Sequence, residues 1–110
     1  MASGEQDPLL KTAELIAHLD RVVAEASKVG GEFCLVDIES ANRMLDRAQV
    51  TRDPATRERN IANARHACQV VVSLSGRLSL EPELQDRIHK GLDALRVRLQ
   101  REDGSSSHRQ

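Results

Sequence analysis

Apolar residues recur every three or four positions along most of this chain, the spacing of α-helices that each bury one side. Between residues 8 and 29 the apolar face is broad: Leu9, Ala13, Leu15, Ile16, Leu19, Val22, Val23 and Ala26 share it, opposite Lys11, Glu14, His18, Arg21 and Glu25. A narrower stripe of Ile38, Ala41, Met44, Leu45 and Ala48 follows. Ile61, Ala64, Ala67, Cys68, Val71, Leu74 and Leu78 align on a third segment, and Leu84, Ile88, Leu92, Leu95 and Leu99 on a fourth.

Start and stop signals divide the pattern. Asp7-Pro8 and Asp53-Pro54 each set a capping carboxylate before a proline, which suits the N-cap and first helical position. Asp37 and Ser79 are candidate N-caps for two further helices. Gly30-Gly31 and Gly76 stand where C-terminal caps would fall. These signals predict an all-α fold with helices over 8–29, 37–51, 54–76 and 80–102, three long and one shorter. The stretch GEFCLVD (31–37) has no strand to pair with, so it reads as a loop or tight turn, with Phe33 plugging one end of the helices. Short connections predict a small antiparallel bundle. Residues 7–102 form its single domain, between polar tails at 1–6 and 103–110 expected to be disordered.

Composition changes this picture in two ways. Phe33 is the only aromatic among 110 residues, so Leu, Ile, Val and Ala must fill the core. The net charge is −1 but unevenly spread: residues 1–42 carry a balance of −5 and residues 43–66 one of +3. No apolar run approaches the ~20 residues of a membrane-spanning helix. Cys34 and Cys68 make no disulfide framework, and no secretory signal opens the chain, which predicts a cytoplasmic protein.

Candidate chemistry is sparse. His66 and Cys68 are two apart on a helix, so their side chains diverge by about 200° and cannot share a metal or form a nucleophile–base pair. His18, His66 and His89 fall on the polar sides of different helices. Gly30-Gly31 lacks the spacing of a phosphate loop, and Ser73, Ser75 and Ser79 lie in no nucleophile elbow. The sequence therefore predicts no catalytic, cofactor-binding or metal-binding residues. Nor does it repeat with the 34-residue period and aromatic landmarks of tetratricopeptide units.

Two polar groupings remain. Asp20, Arg57 and Asn60 fall on or beside apolar faces, where unpaired polar groups are costly; a buried network among them would satisfy all three. Arg43, Arg47, Arg52, Arg57, Arg59 and Arg65 form a basic series that could meet a partner, yet Asp46, Asp53 and Glu58 interrupt it and no aromatic offers base stacking. The expected function is a small non-catalytic protein–protein interaction or regulatory module, self-associating through helix faces, because the first apolar face is wider than one neighbour would cover. Nucleic-acid binding through the arginine series is the alternative.

Overall fold

The computed structural model describes residues 8–108, with side chains from Lys11 to Asp103. It is all-helical: α1 spans Pro8–Val50, α2 Pro54–Ser75 and α3 Pro82–His108, with no strand among the described residues. All three helices open on a proline, whose fixed φ fits the first turn and whose missing N–H would have had no partner there. At α2 the cap is complete. Asp53 has extended backbone, and its carboxylate accepts from the Thr56 amide at 3.1 Å and the Thr56 hydroxyl at 2.5 Å.

The expected break between residues 30 and 36 does not exist. The predicted first and second helices are one 43-residue helix, about 65 Å long at 1.5 Å per residue, and Asp37 lies inside it rather than at a cap. The reason is close packing. A Cβ on Gly30 would come within 2.8 Å of Leu78 Cδ1, and one on Gly31 would collide with Leu84 Cδ2 and meet Leu80 Cδ2 at 2.9 Å. These glycines admit leucines from the α2–α3 connection and the start of α3; they do not turn the chain. Gly91 plays a milder version of the same part, where a Cβ would lie 3.2 Å from Ile38 Cδ1.

Other boundaries shift as well. Ser79 does not cap α3, which begins at Pro82; its amide donates instead to the buried Ser27 hydroxyl at 3.2 Å. Beyond the expected end near 102, α3 continues to His108. The N-terminal tail 1–6 and residues 109–110 lie outside the described residues. Gly76 does follow α2, but with right-handed φ −69° and ψ −17°, a conformation any residue adopts.

Cross-helix contacts give the arrangement. Going up α1, Gly31, Ile38 and Asn42 meet Leu84, Gly91 and Arg98 in turn, so α1 and α3 run the same way. Arg57 near the start of α2 reaches Glu102 near the end of α3, so α2 opposes it. The shared core consists of Cys34, Ile38, Ala41 and Leu45 from α1, Ala64, Ala67, Cys68 and Val71 from α2, and Ile88, Leu92, Leu95 and Leu99 from α3. Spacings of four and three dominate each set, and small side chains let the axes approach. Only the second half of α1 takes part. The resulting molecule is a rod, 83 × 23 × 18 Å, with a radius of gyration of 21.6 Å where a compact chain this size would have about 13 Å.

Two outcomes test this packing. Gly31→Leu should lower stability in chemical denaturation by about 1–3 kcal/mol through overpacking, despite leucine's better helix propensity, whereas Gly76→Ala should raise it by about 0.4–1 kcal/mol. The second concerns acid. The Thr56 hydroxyl and then its amide hold the Asp53 carboxyl below its ordinary range. Such a group stabilises the fold above its unfolded-state pKa and loses that contribution as pH falls through the lower folded value. Asp53→Asn keeps a capping side chain without the charge. Its melting temperature should therefore fall below that of the parent chain at neutral pH and converge with it in acid.

Candidate functional site

From Lys11 to Ala26 every residue of α1 is exposed. The core begins only at Ser27 and Gly31, because α2 and α3 turn over at their connection near Leu78 and Leu80, and among the described residues nothing buries the face of α1 beyond it. The first half of α1 thus stands clear of the body as an arm. Its apolar face is uncovered: Leu15 is 57%, Ile16 53% and Leu19 51% exposed, and Val22 and Val23 are alike. Exposure of about half is what the turns of a lone helix leave to a side chain. The face continues past the arm through Val29 to Phe33, where Leu74 and Leu78 border a shallow apolar depression. Phe33 is half exposed on this rim and does not plug the end of the helices.

The arginine series is dispersed and partly neutralised. Arg43 pairs with Glu39 at 2.6 Å, Arg57 with Glu102 at 3.4 Å and Arg65 with Asp103 at 2.5 Å. Arg47, Arg52 and Arg59 are exposed, the last close enough to Asp53 to help keep that carboxyl charged. Arg52 and Arg57 share a small cleft at the α1–α2 connection with Asp53 and Glu58.

The expected network of Asp20, Arg57 and Asn60 does not form. Asp20 is exposed on the arm, while Arg57 lies beside the far end of α1, roughly 40 Å away by helical rise. Asn60 donates to the Thr56 carbonyl within its own helix at 3.0 Å. What Arg57 meets is Glu102, a buried carboxylate one step beyond Leu95 and Leu99 in the inward repeat of α3. A second polar lock centres on Arg98. Arg98 donates to the backbone carbonyl of Asn42 at 3.2 Å, to its side-chain oxygen at 2.9 Å and to Asp46 at 2.9 Å, tying α3 to α1. Its only signal in the sequence is a position beside the Leu95–Leu99 seam.

Other reactive groups are separated or enclosed. His18, His66 and His89 are exposed on three different helices. No group of three or more His, Cys, Asp or Glu side chains among the described residues could hold a metal ion. Cys34 and Cys68 are free thiols in the core, and burial, then the Asp37 carboxylate, pushes the Cys34 thiol above its usual value. A polar groove lined in part by Lys28, Glu32, Glu83 and Arg87 lies between α1 and the start of α3, open to solvent. No helix among the described residues is long and apolar enough to cross a membrane. No protein-family model, curated protein or solved structure matches the chain.

These placements separate two substitutions that sequence alone would treat alike. Arg57→Met leaves the Glu102 carboxylate buried without a cation and should cost about 1–3 kcal/mol in denaturant unfolding. Asp20→Ala should change stability by no more than about 0.5 kcal/mol.

Proposed function

We propose that this protein is a small non-catalytic interaction module whose working surface is the apolar face of the α1 arm. One observation carries the reading: Leu15, Ile16, Leu19, Val22 and Val23 form a continuous exposed face on a stretch of α1 that no other described helix covers. Burying a side chain of this kind is worth about 1.5–3 kcal/mol, so the face offers much of the energy of a protein interface without any rearrangement of the body. Contiguous apolar patches of this kind mark binding surfaces on soluble proteins. The adjoining depression at Phe33, Leu74 and Leu78 extends the same surface onto the three-helix body.

The arginine series supports nucleic-acid binding less well. Three of its six members face carboxylates, and those left over are spread along α1, its end and α2. Phosphate binding would draw on many such charges at once and weaken steeply with salt.

The test compares the intact chain with the triple variant Leu15→Asp/Leu19→Asp/Val22→Asp in proximity cross-linking. Each of these side chains is exposed, so the body should retain its helicity and melting transition. The reading expects protein contacts, with itself or another chain, that the triple variant loses. Identical cross-links from both chains would overturn it. So would a salt-sensitive complex with random-sequence DNA or RNA that depends on Arg47, Arg52 and Arg59 and is indifferent to the arm.

A further inference from the structure

The continuity of α1 reveals a second heptad pattern beside the core one. Leu15, Leu19, Val22, Ala26, Val29 and Phe33 are spaced 4-3-4-3-4 and all are exposed. The core positions Cys34, Ile38, Ala41, Leu45 and Ala48 keep the same spacing, but point roughly 100° away around the helix. An apolar seam kept in step for about three heptads is the signature of a helix that winds against another helix. Among the described residues no other helix covers that side of the arm.

We propose that the seam pairs with the same seam on a second copy of this chain, the two α1 arms running antiparallel about a two-fold axis between Leu19 and Val22. The proposal rests on the reading of the arm as an interface and names its occupant. The argument is charge complementarity. One edge of the seam carries Lys11, His18, Glu25 and Glu32, seven residues apart, while the other carries the apolar Ile16 and Val23. Antiparallel pairing brings like edges together. With Leu19 against Val22 of the second copy, and Leu15 against its Ala26, Lys11 falls beside Glu32 of the second copy and His18 beside its Glu25. Symmetry makes each of these pairs occur twice, and every one is of opposite charge or a hydrogen-bonding match. On the other edge Ile16 meets Val23.

A parallel pair fails on the same residues. It would set the charged edge of one arm against the apolar edge of the other and desolvate Lys11 and Glu25 with nothing to compensate them. Lys11 to Glu32 spans about 33 Å of helix at 1.5 Å per residue, a seam of nearly three heptads in which about half of the side chains face the second copy. The two-fold relation also makes the interface closed, so pairing stops at two.

Sedimentation equilibrium on the full chain tests the number of copies. A mass tending to twice 12.2 kDa with rising concentration is expected, and Leu19→Asp, at the axis, should weaken association about a hundredfold or more. A single-chain mass at every concentration overturns the proposal. If the arm-dependent cross-links above survive in that case, the interaction reading stands with another partner; if they too are independent of the arm, both fall. Direction is tested by charge exchange. Lys11→Glu or Glu32→Lys alone should raise the dissociation constant about tenfold by setting like charges together twice, and the double exchange should restore it. Failure of the double exchange to recover association overturns the register. Mixing Leu15→Cys chains with Ala26→Cys chains under oxidation should yield the mixed disulfide, while joining of Leu15→Cys chains to each other would show parallel arms and overturn the antiparallel proposal.

Discussion

The architecture depends on one close approach, that of Leu78, Leu80 and Leu84 to the backbone of α1 at Gly30 and Gly31. Two adjacent glycines inside a helix cost roughly 1 kcal/mol each in helix propensity. Here the space left by their missing side chains is filled by the α2–α3 connection and the start of α3, which partly buries Leu78, Leu80 and Leu84 against an unbroken helix. Were those positions larger, α1 would have to move away from the connection or bend past it. Because it does neither, the helix leaves the body at full length and carries its first half into solvent. The arm and the rod shape follow from that passage.

Much of the core could be read from spacing alone. Ile38, Ala41, Leu45, Ala48, Ala64, Cys68, Val71, Ile88, Leu92, Leu95 and Leu99 are buried where the apolar period puts them. The break at residues 30–31 could not be judged in the same way. A glycine pair after an amphipathic segment ends a helix in one context and admits a neighbour in another, and the neighbours that decide lie some fifty residues further on. Read as a stop, the pair puts the fully buried Cys34 in a loop and cuts the exposed seam between Val29 and Phe33.

The polar positions show the same limit from another side. Periodicity fixes the angle of a residue around its helix but not its height relative to another helix. By angle Asp20 and Arg57 each fall on a plausible edge, yet Asp20 stands on the exposed first half of α1 and Arg57 lies on α2, beside the far end of α1. Glu102 was legible in principle, since it continues the step from Leu95 to Leu99, but it sat at the expected edge of the domain. The cross-helix arginine contacts divide the work. Arg57 with Glu102 and Arg65 with Asp103 set the height of α2 against α3, and Arg98 with Asn42 and Asp46 sets that of α3 against α1. Register needs such locks in a core made of alanines, valines and leucines, because small apolar side chains slide past one another with little penalty.

The distribution of side-chain size gives the arm its meaning. Inside the body Gly31, Ala41, Ala48, Ala64, Ala67 and Gly91 make room for Ile38, Leu45, Val71, Ile88, Leu92, Leu95 and Leu99 to interlock between the helices. Outside it, Leu15, Ile16, Leu19, Val22 and Val23 are spent on a stretch of helix that no other described helix covers. A chain with a single aromatic residue has little apolar bulk to spare, and most of what it leaves in water is gathered on one face and kept in phase. A helix of that length is also marginal by itself, since isolated helices draw most of their stability from packing along an apolar face. The covering surface that would steady the arm must be long, apolar and charged along one edge only, a description that the same arm, reversed, satisfies.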